Sequence, residues 1–128
     1  MSRYKKNIGD FGESLAEGML TAQGYYILER QYHTKFGEID IIALTPDKSA
    51  VVFVEVKTRK DTAHGLAAQS INRAKIQRMV KSAQQYFLDN PIEADIRFDV
   101  VEVYTNQGEP TINHIENAFP DLSDYIDF

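Results

Sequence analysis

Hydrophobic positions recur along this chain with two spacings, and each spacing predicts its own kind of element. Apolar residues three or four positions apart, which share one face of a helix, mark residues 10–23 and 70–88. Short runs rich in β-branched and aromatic residues mark strands. The pattern predicts, in chain order, a helix over 10–23, strands over 25–32, 37–44 and 51–57, a helix over 70–88, and strands over 96–104 and 111–115.

The connections between these elements predict how the strands pair. The turn at 45–49 is short, so the second and third strands should be antiparallel neighbours. A long helix separates the third strand from the fourth, and such a crossover returns the chain parallel. We therefore expect an α/β fold of a single domain: a three-layer α/β/α sandwich with a central mixed sheet and an αβββαβ order.

The third predicted strand ends in two opposite charges. Side chains alternate along a strand, so Glu55 and Lys57 point to the same face as Val51 and Phe53. Charges beside a core are unfavourable unless they are paired or bind something. Glu55 and Lys57 therefore form either a structural ion pair or part of a functional site.

A second carboxylate occurs late in the neighbouring strand. Alternation along residues 37–44 places Asp40 on the same face as Ile42, and Ile39 on the same face as Ile41. If the two strands are adjacent, Asp40 and Glu55 converge near the end of the sheet.

The resulting pattern, D-x14-E-x-K, suits a divalent metal ion. Two converging carboxylates repel each other, and one has a raised pKa unless a cation joins them. Oxygen donors favour Mg²⁺ or Mn²⁺ over Zn²⁺, which prefers sulfur and imidazole. Lys57 would then help to activate the water needed for phosphodiester hydrolysis. An ion pair between Glu55 and Lys57 at the sheet edge remains the alternative.

Glu13, in the first helix, has two interpretations. It stands three residues after Asp10, where it would complete a capping box if Asp10 were the N-cap. Its small neighbours Gly12 and Ala16 would alternatively let the helix approach the sheet, so that Glu13 faces inward. The apolar face predicted for this helix consists of Phe11, Leu15, Met19 and Ala22.

Charge is distributed unevenly along the chain. The net charge is −5, but the 14 Lys and Arg all lie at or before Arg97. Residues 57–81 contain seven bases and one acid, whereas residues 98–128 contain seven acids and no base. The basic segment could bind a polyanion such as nucleic acid, or its charges could simply be solvated. Its candidate nucleic-acid-binding residues are Arg59, Lys60, Arg73, Lys75 and Arg78.

Composition excludes several kinds of functional site. The chain has no cysteine, which excludes disulfides, thiolate metal sites and a cysteine nucleophile. His33, His64 and His114 show no metal-ligand spacing, and Asp99 is expected to form a structural pair with Arg97 or with a base on a helix. No apolar run is long enough to span a membrane and no export signal is visible, so we expect a cytoplasmic protein without a membrane partner.

Several motifs together resemble a known family. They are G-D-F-G-E at 9–13, G-E-I-D-I-I at 37–42, F-V-E-V-K at 53–57 and R-F-D-V-V at 97–101. In this order they resemble the YraN-like family of small bacterial proteins, which is similar to the PD-(D/E)XK nuclease superfamily. The spacing is also similar to that of archaeal Holliday-junction resolvases.

The resemblance implies a restriction-endonuclease-like core and a metal-dependent endonuclease, with branched or repair-intermediate DNA as a candidate substrate. Asp40, Glu55 and the Val56 carbonyl would bind Mg²⁺ or Mn²⁺, Lys57 would orient or activate water, and Glu13 would support this metal ion or a second one. A resolvase-like protein would also be expected to form a homodimer. The alternatives are a nucleic-acid-binding module without catalysis, and an interaction protein that docks through its acidic tail.

Overall fold

A five-stranded sheet forms the centre of the chain, and its strands lie side by side in sequence order. The computed structural model describes residues 3–61, 65–66, 71–106 and 108–122, with side chains from residue 8 onward. The predicted αβββαβ order is confirmed, and a fifth strand follows it. The elements are α1 (Arg3–Ala22), β1 (Tyr26–Thr34), β2 (Gly37–Leu44), β3 (Ala50–Arg59), α2 (Arg73–Asp89), β4 (Asp95–Tyr104) and β5 (Thr111–Ile115).

The sheet is mixed, as the connections predict. Strands β1, β2 and β3 form an antiparallel meander. Helix α2 then crosses over, so β4 lies parallel to β3, and β5 returns antiparallel to β4. The short turn and the long crossover thus account for the pairing of the central strands.

The central strands of the sheet are buried on both faces, with one helix over each face. Alternate side chains of β3 divide between two clusters: Val51 and Phe53 face α2, whereas Val52 and Val54 face α1. This explains the uninterrupted apolar run at the start of β3, because a strand covered on both sides has no solvent-facing positions. The three-layer α/β/α architecture is therefore confirmed. No helix within the described ranges is long and apolar enough to cross a membrane.

Helix α1 differs from the prediction in both its start and its buried face. It begins at Arg3, so Asp10 lies inside the helix and the capping-box interpretation of Glu13 is wrong. Gly12, Ala16 and Leu20 are buried, whereas Phe11 is 48% exposed. The buried face is centred on small residues because α1 approaches the sheet closely, and the predicted large apolar residues Leu15 and Met19 lie beside it, only partly buried.

Helix α2 begins slightly later than predicted. Asn72 is its N-cap, and the Asn72 side-chain oxygen accepts the backbone N–H of Lys75 at 2.9 Å. Residues 67–70, which include the predicted start, lie outside the described residues, as do residues 62–64 of the predicted loop. After β5, Phe119 and Leu122 pack against the core cluster on the α2 side of the sheet, the one that contains Val51 and Phe53 and is called the α2-side cluster below.

Candidate functional site

Asp40 on β2 lies against the end of β3. Its Oδ2 accepts the backbone N–H of Val56 at 2.8 Å, which places Asp40 beside the residue that follows Glu55. The predicted convergence of the two carboxylate-bearing strands is thus present in the structure. Asp40 and Glu55 also interact electrostatically, since the charge of Glu55 contributes to raising the pKa of Asp40.

The alternation predicted along β2 is wrong at one position next to Asp40. Ile39 packs in the α2-side cluster together with Ile42, although strict alternation places it with Ile41. On the neighbouring strand, Gln31 has a positive φ of 49°, outside the extended region. The regular strand geometry is therefore interrupted beside Asp40, and a period of two cannot assign faces across such a point.

Asp40 has an unusual protonation equilibrium. Burial, followed by the charge of Glu55, raises the pKa of Asp40 to about 7, although the bond from Val56 N–H and the charge of Lys75 act in the opposite direction. Near neutral pH, Asp40 therefore readily holds a proton. Another cation close to the pair would favour its ionised form instead.

Glu55 is buried and faces two ammonium groups. It is 4% exposed. Lys57 Nζ lies 3.5 Å from Oε1, and Lys75 Nζ lies 3.3 Å from Oε2. Oε2 accepts no well-oriented hydrogen bond from the described residues, so its contact with Lys75 is only an ion pair. The predicted ion pair with Lys57 is present, and helix α2 adds a second one that the sequence did not predict.

Glu13 faces inward from α1, as its small neighbours suggested. Its side chain is 13% exposed, and its Oε1 lies 3.9 Å from Arg30 Nη2 without accepting a hydrogen bond from the described residues. Burial raises the pKa of Glu13. Glu13 is therefore a second acid held in an environment that disfavours its charge.

A cleft of about 460 Å³ lies between α1 and the end of β3. Glu13 of α1 and Lys57 of β3 both line it. The residues that line it are Ile8, Gly9, Glu13, Val56, Lys57, Thr58 and Arg59.

The predicted nucleic-acid-binding residues divide into three groups. Lys75 contacts Glu55 and belongs to the carboxylate cluster. Arg59 lines the cleft, and its guanidinium donates to the Thr58 carbonyl at 3.0 Å. Lys60, Arg73 and Arg78 are exposed, the first just after β3 and the other two on α2.

The donors at the site fit a hard divalent ion in their chemistry. Asp40, Glu55 and the Val56 carbonyl offer only oxygen, and one buried oxygen each of Glu55 and Glu13 has no hydrogen-bond donor among the described residues. Across the described ranges, no three Asp, Glu or His side chains are grouped closely enough to hold one ion. In this arrangement, an ion would therefore be held by two carboxylates and the main chain, with Glu13 apart from them.

The sequence pattern gave no sign of a further buried acid beside the site. Glu102 is 1% exposed and is paired in register with Lys57 across β3 and β4. Tyr104 Oη donates to one of its carboxylate oxygens at 3.0 Å and Asn113 Nδ2 to the other at 2.8 Å. The sequence predicted that β3 and β4 pair in parallel. It did not predict their register, which is what places Glu102 beside Lys57.

The fold and site define an α/β protein with two neighbouring acids and a lysine at the end of its central strands. Residues 12–103 match the profile of the family described as "Uncharacterised protein family UPF0102". The chain belongs to this family, and the resemblance to YraN-like proteins is confirmed.

Relatives in this family match over nearly their whole length. A UPF0102 protein of Alkaliphilus oremlandii is 46% identical over 117 residues, covering 89% of this chain and 98% of the relative. UPF0102 protein TTE1452 of Caldanaerobacter subterraneus is 44% identical over 119 residues, covering 90% and 96%. Among solved structures, a repair endonuclease from Pyrococcus abyssi aligns with a TM-score of 0.43 and 17% identity, over 86% of this chain but only 39% of the endonuclease chain.

Proposed function

We propose that this protein is a metal-dependent endonuclease that hydrolyses phosphodiester bonds, with branched or repair-intermediate DNA as its substrate class. The observation that carries the proposal is the juxtaposition of Asp40 with the end of β3, where Glu55 and Lys57 occur. Burial and the charge of Glu55 raise the pKa of Asp40 to about 7, so the pair is suited to binding a further cation.

Each group has a role in this proposal. Asp40, Glu55 and the Val56 carbonyl hold Mg²⁺ or Mn²⁺, which when bound polarises the phosphate and activates water. Lys57, at the cleft, holds and orients that water through its ammonium group. Glu13, on the opposite wall, supports this metal ion or a second one. The exposed bases Lys60, Arg73 and Arg78 bind the phosphate backbone.

A nucleic-acid-binding module without catalysis is the second candidate. One observation favours it: both oxygens of Glu55 already face ammonium groups, which can neutralise the carboxylate without a metal ion. Homodimer formation and a cytoplasmic location stay predictions. So does docking through the acidic tail, of which residues 123–128 lie outside the described residues.

Cleavage of branched, nicked and single-stranded DNA in Mg²⁺ or Mn²⁺ tests the proposal. We expect Asp40→Asn and Lys57→Met each to lower the cleavage rate about 100-fold or more, because each removes a group from the reacting centre. Lys48→Met is the matched control, since it removes one positive charge at the β2–β3 turn, and it should cleave like the wild type.

Three other outcomes contradict the proposal in different ways. Cleavage that survives both substitutions would indicate a contaminating nuclease. Salt-dependent binding without cleavage would support the binding module instead. Absence of binding even at low salt would exclude both candidates.

A further inference from the structure

Glu55 is neutralised from two elements of the fold. Lys57 comes from the same strand, two residues further along, and its Nζ lies 3.5 Å from Oε1. Lys75 comes from the first turn of α2, and its Nζ lies 3.3 Å from Oε2. The Glu55 side chain is only 5% exposed, so little water solvates its charge. Buried carboxylates of this kind need compensating positive charge.

Lys75 also acts on the second carboxylate. Its positive charge opposes the rise in the pKa of Asp40 that burial and Glu55 cause. In the absence of a metal ion, Lys75 thus supplies to the Asp40–Glu55 pair part of the positive charge that a divalent ion would supply. This differs from the role predicted from the sequence, in which Lys75 binds phosphate directly.

The contact between Lys75 and Glu55 is of a kind that can be exchanged. Oε2 accepts no well-oriented hydrogen bond from the described residues, so the interaction is not fixed by directional bonding. The Lys75 side chain is 26% exposed, and its flexible four-carbon stem allows the ammonium to turn toward solvent. A divalent ion on the same carboxylate would lie close to this ammonium, and the two cations would repel each other, so the ion binds more tightly once the ammonium has moved away.

We propose that Lys75 is the resident counter-ion of Glu55, which a divalent ion must displace in order to bind. The inference rests on the proposed function, since it concerns the same pair of carboxylates. Metal binding and Lys75 then compete for Glu55. The displaced ammonium becomes available to a phosphate of the nucleic acid, so metal binding and substrate binding are coupled through this one side chain.

Titration of the full-length protein with Mn²⁺ alone, followed by calorimetry, tests the competition without relying on activity. Lys75→Met keeps the length of the side chain and removes its charge, so Mn²⁺ should bind about three- to tenfold more tightly than to the wild type. Lys75→Arg keeps the charge and should bind Mn²⁺ no more tightly than the wild type. Arg78→Met, one turn further along α2, removes an exposed charge and should change the affinity less than about twofold.

The outcomes separate this inference from the proposed function. If the wild type binds Mn²⁺ and Asp40→Asn does not, the metal site stands. Unchanged or weaker binding by Lys75→Met then overturns the competition alone. Equal tightening by Lys75→Met and Arg78→Met also overturns it, because the effect would then reflect overall charge. If no variant binds Mn²⁺, the metal site and the competition are both wrong. A thermal unfolding curve for each variant verifies that it is folded.

Discussion

Two aspartates in this protein, the buried Asp99 and the partly buried Asp40, have opposite environments. Asp99 is fully buried, and its carboxylate accepts two bonds from Arg97 at 2.8 and 2.9 Å and one from Asn117 N–H at 3.0 Å, while His114 Nε2 lies 2.7 Å from Oδ2. Burial alone would raise the pKa of Asp99, but the bonds from His114, Arg97 and Asn117 hold it below its usual value. The structural pairing predicted for Asp99 and Arg97 is confirmed, and this carboxylate has no need of a metal ion.

Asp40 is compensated much less, although the charge of Lys75 also opposes the rise in its pKa. One backbone N–H, that of Val56, donates to it, and Glu55 adds a repulsive charge. A carboxylate with so little compensation makes the folded state less stable. Natural proteins tolerate such a cost mainly at functional sites. The number of hydrogen bonds and opposite charges around each carboxylate therefore distinguishes the structural Asp99 from the candidate functional Asp40 more clearly than burial does.

The raised pKa of Asp40 predicts a specific pH dependence of stability. The unfolded chain releases this proton near 3.8, whereas the folded chain retains it up to about 7. Between these values the folded state binds more protons than the unfolded state, so the free energy of unfolding falls as the pH rises. Above about pH 7 Asp40 is ionised in both the folded and the unfolded state, so it causes no further fall in the free energy of unfolding. Addition of a divalent ion that binds Asp40 should reduce this fall.

Asp40→Asn tests this dependence, because asparagine does not titrate and its oxygen can still accept the Val56 N–H. The stability of the variant relative to the wild type should increase between about pH 4 and 7, by ~3 kcal/mol. Urea unfolding in EDTA at a series of pH values measures the difference. A difference that stays constant over this range would show that Asp40 titrates normally in the folded state.

At the scale of single elements, helix α1 depends on small residues at its contact with β3. A Cβ added to Gly12 would overlap Thr58 Oγ1 and lie 3.1 Å from Thr58 Cβ. The close approach made possible by Gly12 also brings Glu13 to the cleft. A glycine in a helix interior is otherwise unfavourable by about 0.5–1 kcal/mol relative to alanine, so the packing offsets that cost.

Two substitutions in the same helix distinguish packing from helix propensity. Gly12→Ala should destabilise the protein by about 1–3 kcal/mol, because α1 must move away from Thr58. Gly18→Ala is the matched control: no described atom outside the helix lies within 4 Å of its added Cβ. It should stabilise the protein by about 0.5–1 kcal/mol. Chemical unfolding of both variants gives the comparison, and stabilisation by Gly12→Ala would show that α1 does not pack closely here.

The strands were more predictable from the sequence than the helix faces. Strands β2 and β5 have the predicted bounds, because short β-rich runs and turn residues delimit them. The buried face of α1 was missed because glycine and alanine carry little hydrophobic signal. The contact between Lys75 and Glu55 could not be predicted either, since it depends on how the crossover helix α2 lies on the sheet. Asp40 and Glu55 were recognisable because each places a charge in an apolar strand.

At the scale of the whole molecule, the charge is separated along the chain. The net charge is −5, yet residues 57–81 contain seven bases against one acid. In the structure this segment begins at the cleft, where Lys57 and Arg59 line one wall, and continues into α2, where Arg73 and Arg78 are exposed. A polyanion would therefore be attracted locally while the acidic remainder opposes non-specific adhesion.

This separation predicts that nucleic-acid binding depends on particular bases and not on total charge. Lys60 and Lys48 form a matched pair, because both are exposed and they flank opposite ends of β3, one after Arg59 and the other before Ala50. Strand β3 has 10 residues, so the two sites are about 30 Å apart, well beyond the screening distance. Each lysine replaced by methionine removes the same single charge.

Fluorescence anisotropy with a labelled DNA duplex in EDTA, over a series of salt concentrations, measures the consequence. Lys60→Met should weaken binding and reduce the slope of log K against log salt by about 0.9, the value for one phosphate contact on duplex DNA. Lys48→Met should leave the slope unchanged, because its charge lies at the far end of β3. Equal reductions in both variants would show that binding responds to net charge alone, and the basic segment would then not be the nucleic-acid-binding surface.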